Sequence, residues 1–330
     1  MARGVVLTFA LMAAAGTALP LSAGIGSLPP ASTTDAAPSP VEPFGLTGLT
    51  NRDVEANVLL LVISGVGVAL FVVFGMQYGG NAVATPQEVA GRLGIRLLGL
   101  VPDMPDQARL MLSPSPPVAP AEAYRALRAA VVSTTCGEST PILALAGAQE
   151  HAGTTTTACN LAMALASGGS RILLIDANLR RPRLDALLQR PARVGLFHVL
   201  VGQSRVRDAV QRTADAHLYV MTAGRIALNG SEVLGSGRMK QLLAKLKQGP
   251  FDWVILDLPA VLTCDDALTL APLVDGLVVV LGTHRTRLDL AERAVEMLNA
   301  AHAPIVGAVL NRVSAVPRVS SAAIYLERAS

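Results

Sequence analysis

The sequence predicts an α/β domain, with a parallel sheet covered by helices on both faces and membrane-spanning helices before it. Three observations carry this prediction. From residue 141 to 310, short unbroken runs of Val, Ile and Leu alternate with helix-length segments, which is typical of parallel strands buried on both faces. A Gly- and Thr-rich loop, 147–157, joins one such run to a helix. Earlier in the chain, 58–76 is apolar and uncharged.

The loop 147–157 has the position of a phosphate-binding P-loop. It follows the apolar run 141–146 and precedes an apolar-rich helix over 155–167. Backbone N–H groups of such a loop hold phosphate without help from side chains. Thr154 stands where a P-loop carries lysine, and Glu150 adds a negative charge. The loop therefore predicts a phosphate cradle with reduced affinity, and an ordinary Gly/Thr-rich turn is the alternative.

Two further strands end in a carboxylate. The runs 172–175 and 253–256 are followed by Asp176 and Asp257. Ligands of open parallel sheets bind beyond the carboxyl ends of the strands, so these two side chains can hold Mg²⁺ beside the P-loop. A strand that ends in Asp is also a common turn signal. The P-loop and two strand-end carboxylates together favour a nucleotide site.

The rest of the domain follows from the same alternation. Roughly two hundred residues are enough for one such domain. The remaining predicted elements are strands at 218–222, 277–281 and 305–310 and helices at 236–247 and 288–301.

These motifs together resemble those of bacterial tyrosine autokinases joined to polysaccharide co-polymerases, the family that controls capsule and exopolysaccharide chain length. The resemblance runs from Thr85 to about Val313, most of the chain. Its matching segments are 85–89, 93–95, 98–102, the Glu-x-x-Arg-x-x-Arg segment 122–128, the altered Walker A loop, Walker A′ at Asp176, Walker B at Asp257, and 309–312.

The resemblance implies ATP and Mg²⁺ as cofactors and a role for each matching residue. Asp176 and Asp257 would be the catalytic residues of an active enzyme, and both would hold Mg²⁺ together with Thr155. Asn311 would contact the adenine. The residues implied in nucleotide binding are Gly153, Thr154, Thr155, Thr156 and Asn311.

Three departures from the family pattern predict a weakened or inactive relative. The Walker A lysine is Thr154, and the second Walker A′ aspartate is Asn178. The tail holds one tyrosine, Tyr325, where relatives carry a cluster; Tyr325 remains a candidate phosphoacceptor. The alternative is an active autokinase in which another basic group, such as an arginine of a neighbouring subunit, replaces the lysine.

The region before the domain is predicted to lie in and across the inner (cytoplasmic) membrane. The chain is 51% hydrophobic with a mean hydropathy of +0.47, and 58–76 is long enough to span a bilayer. The uncharged run 4–34 suits either a first span or a cleaved signal peptide. Arg92 and Arg96 follow the second span, which favours a cytoplasmic P-loop domain.

Two proline-rich stretches separate these parts. The first, in the linker 29–56, is far shorter than the external domain of full co-polymerases. The resemblance therefore implies a partner protein, which is either a co-polymerase that carries that domain or the polysaccharide polymerase and export machinery. The second, 113–120, is expected to be a hinge. The predicted boundaries are 1–28 for a first span or signal peptide, 29–56 for an extracytoplasmic linker, 57–78 for a transmembrane helix, 79–120 for the juxtamembrane segment and hinge, 121–316 for the kinase-like P-loop domain, and 317–330 for the tail.

Self-association is predicted from one charged helix. Glu122, Arg125 and Arg128 recur at three-residue spacing and so share one side of a helix over 121–131. A solvated charged face is the alternative, and the resemblance favours subunit contact. Head-to-tail contacts of this kind close into rings.

Other chemistry finds little support in the sequence. Three widely spaced cysteines and five histidines without ligand spacing argue against a disulfide framework or a zinc site. The net charge of +3 is modest, and Arg180, Arg181 and Arg183 are expected to serve the site or an interface. No nucleic-acid partner is predicted.

Overall fold

The structure is a computed structural model that describes residues 51–79, 82–83, 85–104, 110, 118–135, 140–225 and 230–314. The predicted first span, residues 29–50 of the predicted extracytoplasmic linker, most of the proline-rich hinge and Tyr325 lie outside the described residues. The last predicted linker residues, 51–56, belong instead to the helix Asn51–Gly79.

An eight-stranded sheet forms the centre of the fold, in the order β1-β8-β7-β2-β6-β3-β5-β4. All pairs are parallel except the short edge pair of β4 with β5. The strands are β1 (Leu97–Pro102), β2 (Ile142–Gly147), β3 (Ile172–Asp176), β4 (Gln211–Arg212), β5 (Leu218–Met221), β6 (Trp253–Asp257), β7 (Gly276–Gly282) and β8 (Ile305–Val313).

Helices connect the strands. Those that the structure describes are α1 (Asn51–Gly79), α2 (Pro86–Leu93), α3 (Val118–Thr134), α4 (Thr154–Ala166), α5 (Leu184–Leu188), α6 (Leu196–Leu200), α7 (Val206–Ala209), α8 (Gly230–Leu234), α9 (Gly237–Lys247), α10 (Asp266–Leu270), a 3₁₀ turn (Ala271–Leu273) and α11 (Leu288–Ala300). By length and hydropathy, no helix in this part of the chain qualifies as a membrane span.

Two apolar cores lie on the two faces of the sheet. Along β2, Ile142 and Ala144 point into one core, whereas Leu143 and Leu145 point into the other, because successive side chains of a strand alternate in direction. Helices α3, α4 and α5 cover the second core, and α2, α9 and α11 cover the first. The predicted parallel sheet with helices on both faces is confirmed.

The α/β domain begins earlier than the predicted residue 121. Strand β1 forms one edge of the sheet and pairs with β8, with Leu100 opposite Leu310. Before it, α2 starts with a capping box between Thr85 and Glu88, an arrangement that satisfies free N–H groups at a helix start. The juxtamembrane segment therefore supplies a helix and a strand to the domain.

Candidate functional site

The P-loop and the two strand-end aspartates lie side by side at the carboxyl edge of the sheet. Strand β6 lies between β2 and β3, and its register sets Asp257 opposite Leu145 on one side and Asp176 on the other. The loop that follows β2 therefore lies next to both carboxylates. This is the edge at which open parallel sheets bind ligands.

The P-loop runs from Gly147 to the start of α4. Gly153 precedes the helix with a φ of 92°, a region that favours glycine. The Thr154 Oγ1 lies 2.7 Å from the point that a Cβ on Gly147 would occupy, so this hydroxyl turns back towards the end of β2. Gly153, Thr154, Thr155 and Thr156 all line the cleft.

Asn311 holds the P-loop in place from β8. Its Nδ2 donates to the Ala152 carbonyl at 2.9 Å, and its Oδ1 accepts the Arg312 N–H at 2.9 Å. Its side chain is buried and does not line the cleft. The resemblance assigned Asn311 to the adenine, whereas the structure uses its amide to fix the backbone of the loop.

Gly153→Ala is expected to destabilise the protein by about 2 kcal/mol or more, of which roughly 1–2 kcal/mol is the strain of a left-handed alanine. The rest arises because the new Cβ would lie 2.1 Å from the Asn311 Nδ2 and would displace that side chain from the Ala152 carbonyl. Thermal unfolding measures the total.

Gly169→Ala is the matched control, because Gly169 has a φ of 90° and no atom within 4 Å of its ideal Cβ position. It carries the backbone strain without the crowding. Equal shifts in melting temperature for the two variants would contradict the role given to Asn311.

The two carboxylates are buried in different ways. Asp176 accepts the N–H groups of Asn178, Arg183 and Leu184, each at 3.1 Å. Burial nonetheless raises the pKa of Asp176 to about 6, with those bonds acting against the rise. Neither buried oxygen of Asp257 has a hydrogen-bond partner of good geometry among the described residues.

Burial, followed by the charge of Asp176, raises the pKa of Asp257 well above its ordinary value. The nearby Thr155 hydroxyl and the Arg183 guanidinium offset only part of this rise. Adjacent buried carboxylates are unfavourable unless a cation neutralises them. Thr155, Asp176 and Asp257 supply the oxygen ligands that Mg²⁺ prefers, so these residues fit the implied ion and would hold it there.

A cleft of about 1030 Å³ opens above the P-loop. In it, Arg180 pairs with Asp266 at 2.9 Å and Arg181 pairs with Glu150. The pairing of Arg181 removes much of the effect of the negative charge that Glu150 brings to the loop. The arginines that line the cleft are Arg180, Arg181, Arg183, Arg285 and Arg312.

No role was predicted from the sequence for two of these arginines, although Arg312 lies in the matching segment 309–312. Arg285 follows β7 and Arg312 lies near the end of β8; both strands lie on the side of the P-loop opposite β3. The available signal was their position at the carboxyl ends of apolar strands, Arg285 just beyond β7 and Arg312 in the last residues of β8. The three predicted arginines, which follow β3, also lie at the cleft.

The three charged residues of α3 do not share one environment. Glu122 and Arg125 are exposed, whereas Arg128 is half-buried. The Arg128 Nη1 donates to the Ala164 carbonyl at 2.9 Å, near the C-terminal end of α4, where a cation is favourable. Arg128 therefore has a role inside the chain, and Glu122 and Arg125 remain at the surface.

Comparisons with known proteins agree with this geometry. A family profile described as ParA, NUBPL iron-transfer P-loop NTPase, matches residues 140–325. The chain is 35% identical over 190 residues to the tyrosine-protein kinase YwqD of Bacillus subtilis, a match that covers 58% of this chain and 80% of YwqD. It is 29% identical over 195 residues to the succinoglycan biosynthesis transport protein ExoP of Rhizobium meliloti, covering 58% of this chain and 25% of ExoP.

Among solved structures, the kinase domain of the Escherichia coli tyrosine kinase ETK superposes with a TM-score of 0.65 at 27% identity, covering 73% of this chain and 98% of that domain. The P-loop profile spans more than half of the chain. Kinases and P-loop NTPases act on nucleoside triphosphates with Mg²⁺, which suits the buried carboxylates beside the loop. The chain belongs to the bacterial tyrosine kinases, whose kinase domain is a ParA-like P-loop NTPase.

Proposed function

We propose that this chain is a membrane-anchored, tyrosine-kinase-like regulatory or assembly subunit of exopolysaccharide biosynthesis and export, with weakened or absent kinase activity. The observation that carries the proposal is Thr154 at the head of α4, in a site that otherwise keeps Gly153, Asp176 and Asp257. Loss of one donor aimed at developing charge lowers a rate by about 10²–10³. Asn178 removes a further carboxylate of the family pattern.

Membrane anchoring is supported by the surface of α1. Its described side chains, 58–72, are exposed and include large apolar residues such as Leu60, Leu61 and Phe71. A continuous apolar surface of this kind is uncommon on proteins that work in water. Arg92 and Arg96, on the side of the α/β domain, favour a cytoplasmic position for that domain.

Self-association is supported by the exposed side of α3. Tyr124 and Leu127 bury the opposite side in the core, which leaves Glu122 and Arg125 free to meet a neighbouring subunit. Opposite charges on one helix suit a head-to-tail contact, and such contacts close into rings. The other partners we propose are the polysaccharide polymerase and export machinery, or a co-polymerase that carries an external domain.

An active ATP-dependent autokinase is the second candidate. The arginines that line the cleft favour it, because they bring positive charge to the site from outside the P-loop. Tyr325 would then be the phosphoacceptor.

The test uses the full-length chain, extracted from the membrane fraction with detergent and incubated with Mg·ATP. We expect the protein to be found in that fraction, and its phosphotyrosine signal to be about 1% or less of that of a Thr154→Lys variant. Strong labelling of the unmodified chain that disappears in Asp176→Ala would instead establish the active autokinase.

A further inference from the structure

Four of the five arginines that line the cleft fall into two groups. Arg180 and Arg181 are held by Asp266 and Glu150. Arg183 and Arg285 line the same cleft but form no ion pair with any carboxylate in the described part of the chain. Neither of these two arginines is therefore tied to a carboxylate by a direct ion pair among the described residues.

Arg183 approaches the site from the β3 side. Its backbone N–H donates to the Asp176 Oδ2 at 3.1 Å, so its Cα is tied to the aspartate at the end of β3. Its guanidinium is close enough to Asp257 to oppose the rise in pKa that burial and Asp176 cause there. The positive charge of Arg183 thus lies next to the carboxylates that fit Mg²⁺.

Arg285 approaches from the β7 side. Its Cβ lies 3.4 Å from the ideal Cβ position of Gly282, a point that is also 3.4 Å from the Ala152 Cα in the P-loop. The loop that carries Arg285 is fixed at both ends. The Gly282 N–H donates to the Thr286 Oγ1 at 2.9 Å, and the Arg287 N–H donates to the Gln149 Oε1 at 3.1 Å.

The strand order explains why both arginines reach one ligand. The P-loop follows β2, with β7 on one side and β6 and then β3 on the other. A phosphate chain on the P-loop would therefore have Arg285 on one flank and Arg183 on the other. Arginine suits this geometry because its planar fork makes paired hydrogen bonds to phosphate oxygens.

We propose that Arg183 and Arg285 clamp the phosphate chain of a bound nucleoside di- or triphosphate from its two flanks and supply the charge that Thr154 does not. This inference rests on the proposed function, since it concerns the same site. These contacts would stabilise the bound nucleotide itself, which is the ground state of the reaction, and not a transition state. Binding energy of that kind does not by itself raise a turnover rate.

The test is calorimetric titration of the full-length, detergent-solubilised chain with Mg·ADP. We expect Arg183→Gln and Arg285→Gln each to weaken binding by about 10-fold, the usual size for a lost charge-assisted hydrogen bond. Arg171→Gln is the matched control. Arg171 precedes β3 at the opposite edge of the sheet and has a half-exposed side chain, so its loss should change affinity by less than about twofold.

A second pair of variants distinguishes the clamp from the proposed function. In a Thr154→Lys background, Arg183→Gln should weaken binding by no more than about threefold, because the lysine then shares the same phosphate charge. If the unmodified chain does not bind Mg·ADP while Thr154→Lys does, the clamp is overturned and the proposed site stands. If neither binds although both melt cooperatively, the proposed site itself fails. Unchanged affinity in both arginine variants also overturns the clamp.

Discussion

Thr154→Lys is expected to tighten Mg·ATP binding by about 10- to 100-fold. The cradle around position 154 is intact, because Gly153 keeps its left-handed conformation and Asn311 fixes the loop backbone. The helix start still offers N–H groups and a partial positive charge. A lysine ammonium adds one charge-assisted hydrogen bond of about 1.5–3 kcal/mol, and each 1.4 kcal/mol is tenfold in affinity. Calorimetric titration of the full-length chain measures the change.

Thr269→Lys is the control for this variant. Thr269 is exposed on α10 and does not line the cleft. A lysine at this position adds the same charge as Thr154→Lys without reaching the P-loop. Affinity that stays unchanged in Thr154→Lys would mean that the loop does not hold phosphate in solution.

Asp257→Asn is expected to stabilise the protein in the absence of nucleotide and Mg²⁺. The Asp257 carboxylate is 1% exposed and lies opposite Asp176, and the amide removes an uncompensated buried charge. Leaving such a group unsatisfied costs about 1–3 kcal/mol. For a domain of this size, the melting temperature should rise by about 2–10 °C at pH 7.5.

The effect should depend on pH in a defined direction. The pKa of Asp176 is raised from its ordinary 3.8 to about 6, and that of Asp257 is also raised. Between the ordinary pKa and the raised pKa of each carboxyl group, the folded state keeps a proton that the unfolded state has lost. The free energy of unfolding therefore falls as the pH rises from about 4 to above 6. The advantage of Asp257→Asn should therefore be small at pH 4 and should grow as the pH rises and the buried carboxyl of Asp257 loses its proton. Added Mg²⁺ should stabilise the unmodified protein more than the variant.

Asp208→Asn serves as the control, because Asp208 is half-exposed beside Arg207 and its loss should change the unfolding free energy by less than about 0.5 kcal/mol. A lower melting temperature for Asp257→Asn at pH 7.5 would show that a neighbouring cation already compensates this carboxylate.

Most of the sheet could be predicted from local sequence, whereas β1 could not. Strands β2, β3, β6 and β7 are unbroken apolar runs bounded by turns and helices, so their type follows from composition. The run 97–102 has the same composition, but it precedes a proline-rich stretch and its partner β8 begins at Ile305. No local rule indicates a pairing across so long a separation. The predicted domain start at 121 was late for this reason.

The residues of the candidate site, too, could be predicted from local sequence only in part. Asp176 and Asp257 could be found because each directly ends an apolar strand. Their adjacency depends on strand order, which the P-loop context made foreseeable. Arg285 reaches the cleft only because β7 lies next to β2, and the local sequence around it contains no phosphate-binding motif. The amide contacts of Asn311 depend on the conformation of a loop that precedes it by more than 150 residues.

The position of β1 has a practical consequence for anyone who shortens the chain. A fragment that starts at residue 121 would lack β1 and would leave one side of β8 with free backbone N–H and C=O groups. Such open edges recruit strands from other molecules. Soluble fragments that keep residues 82–104 should stay dispersed, while shorter ones should precipitate, and a failed purification of the latter would say nothing about the nucleotide site.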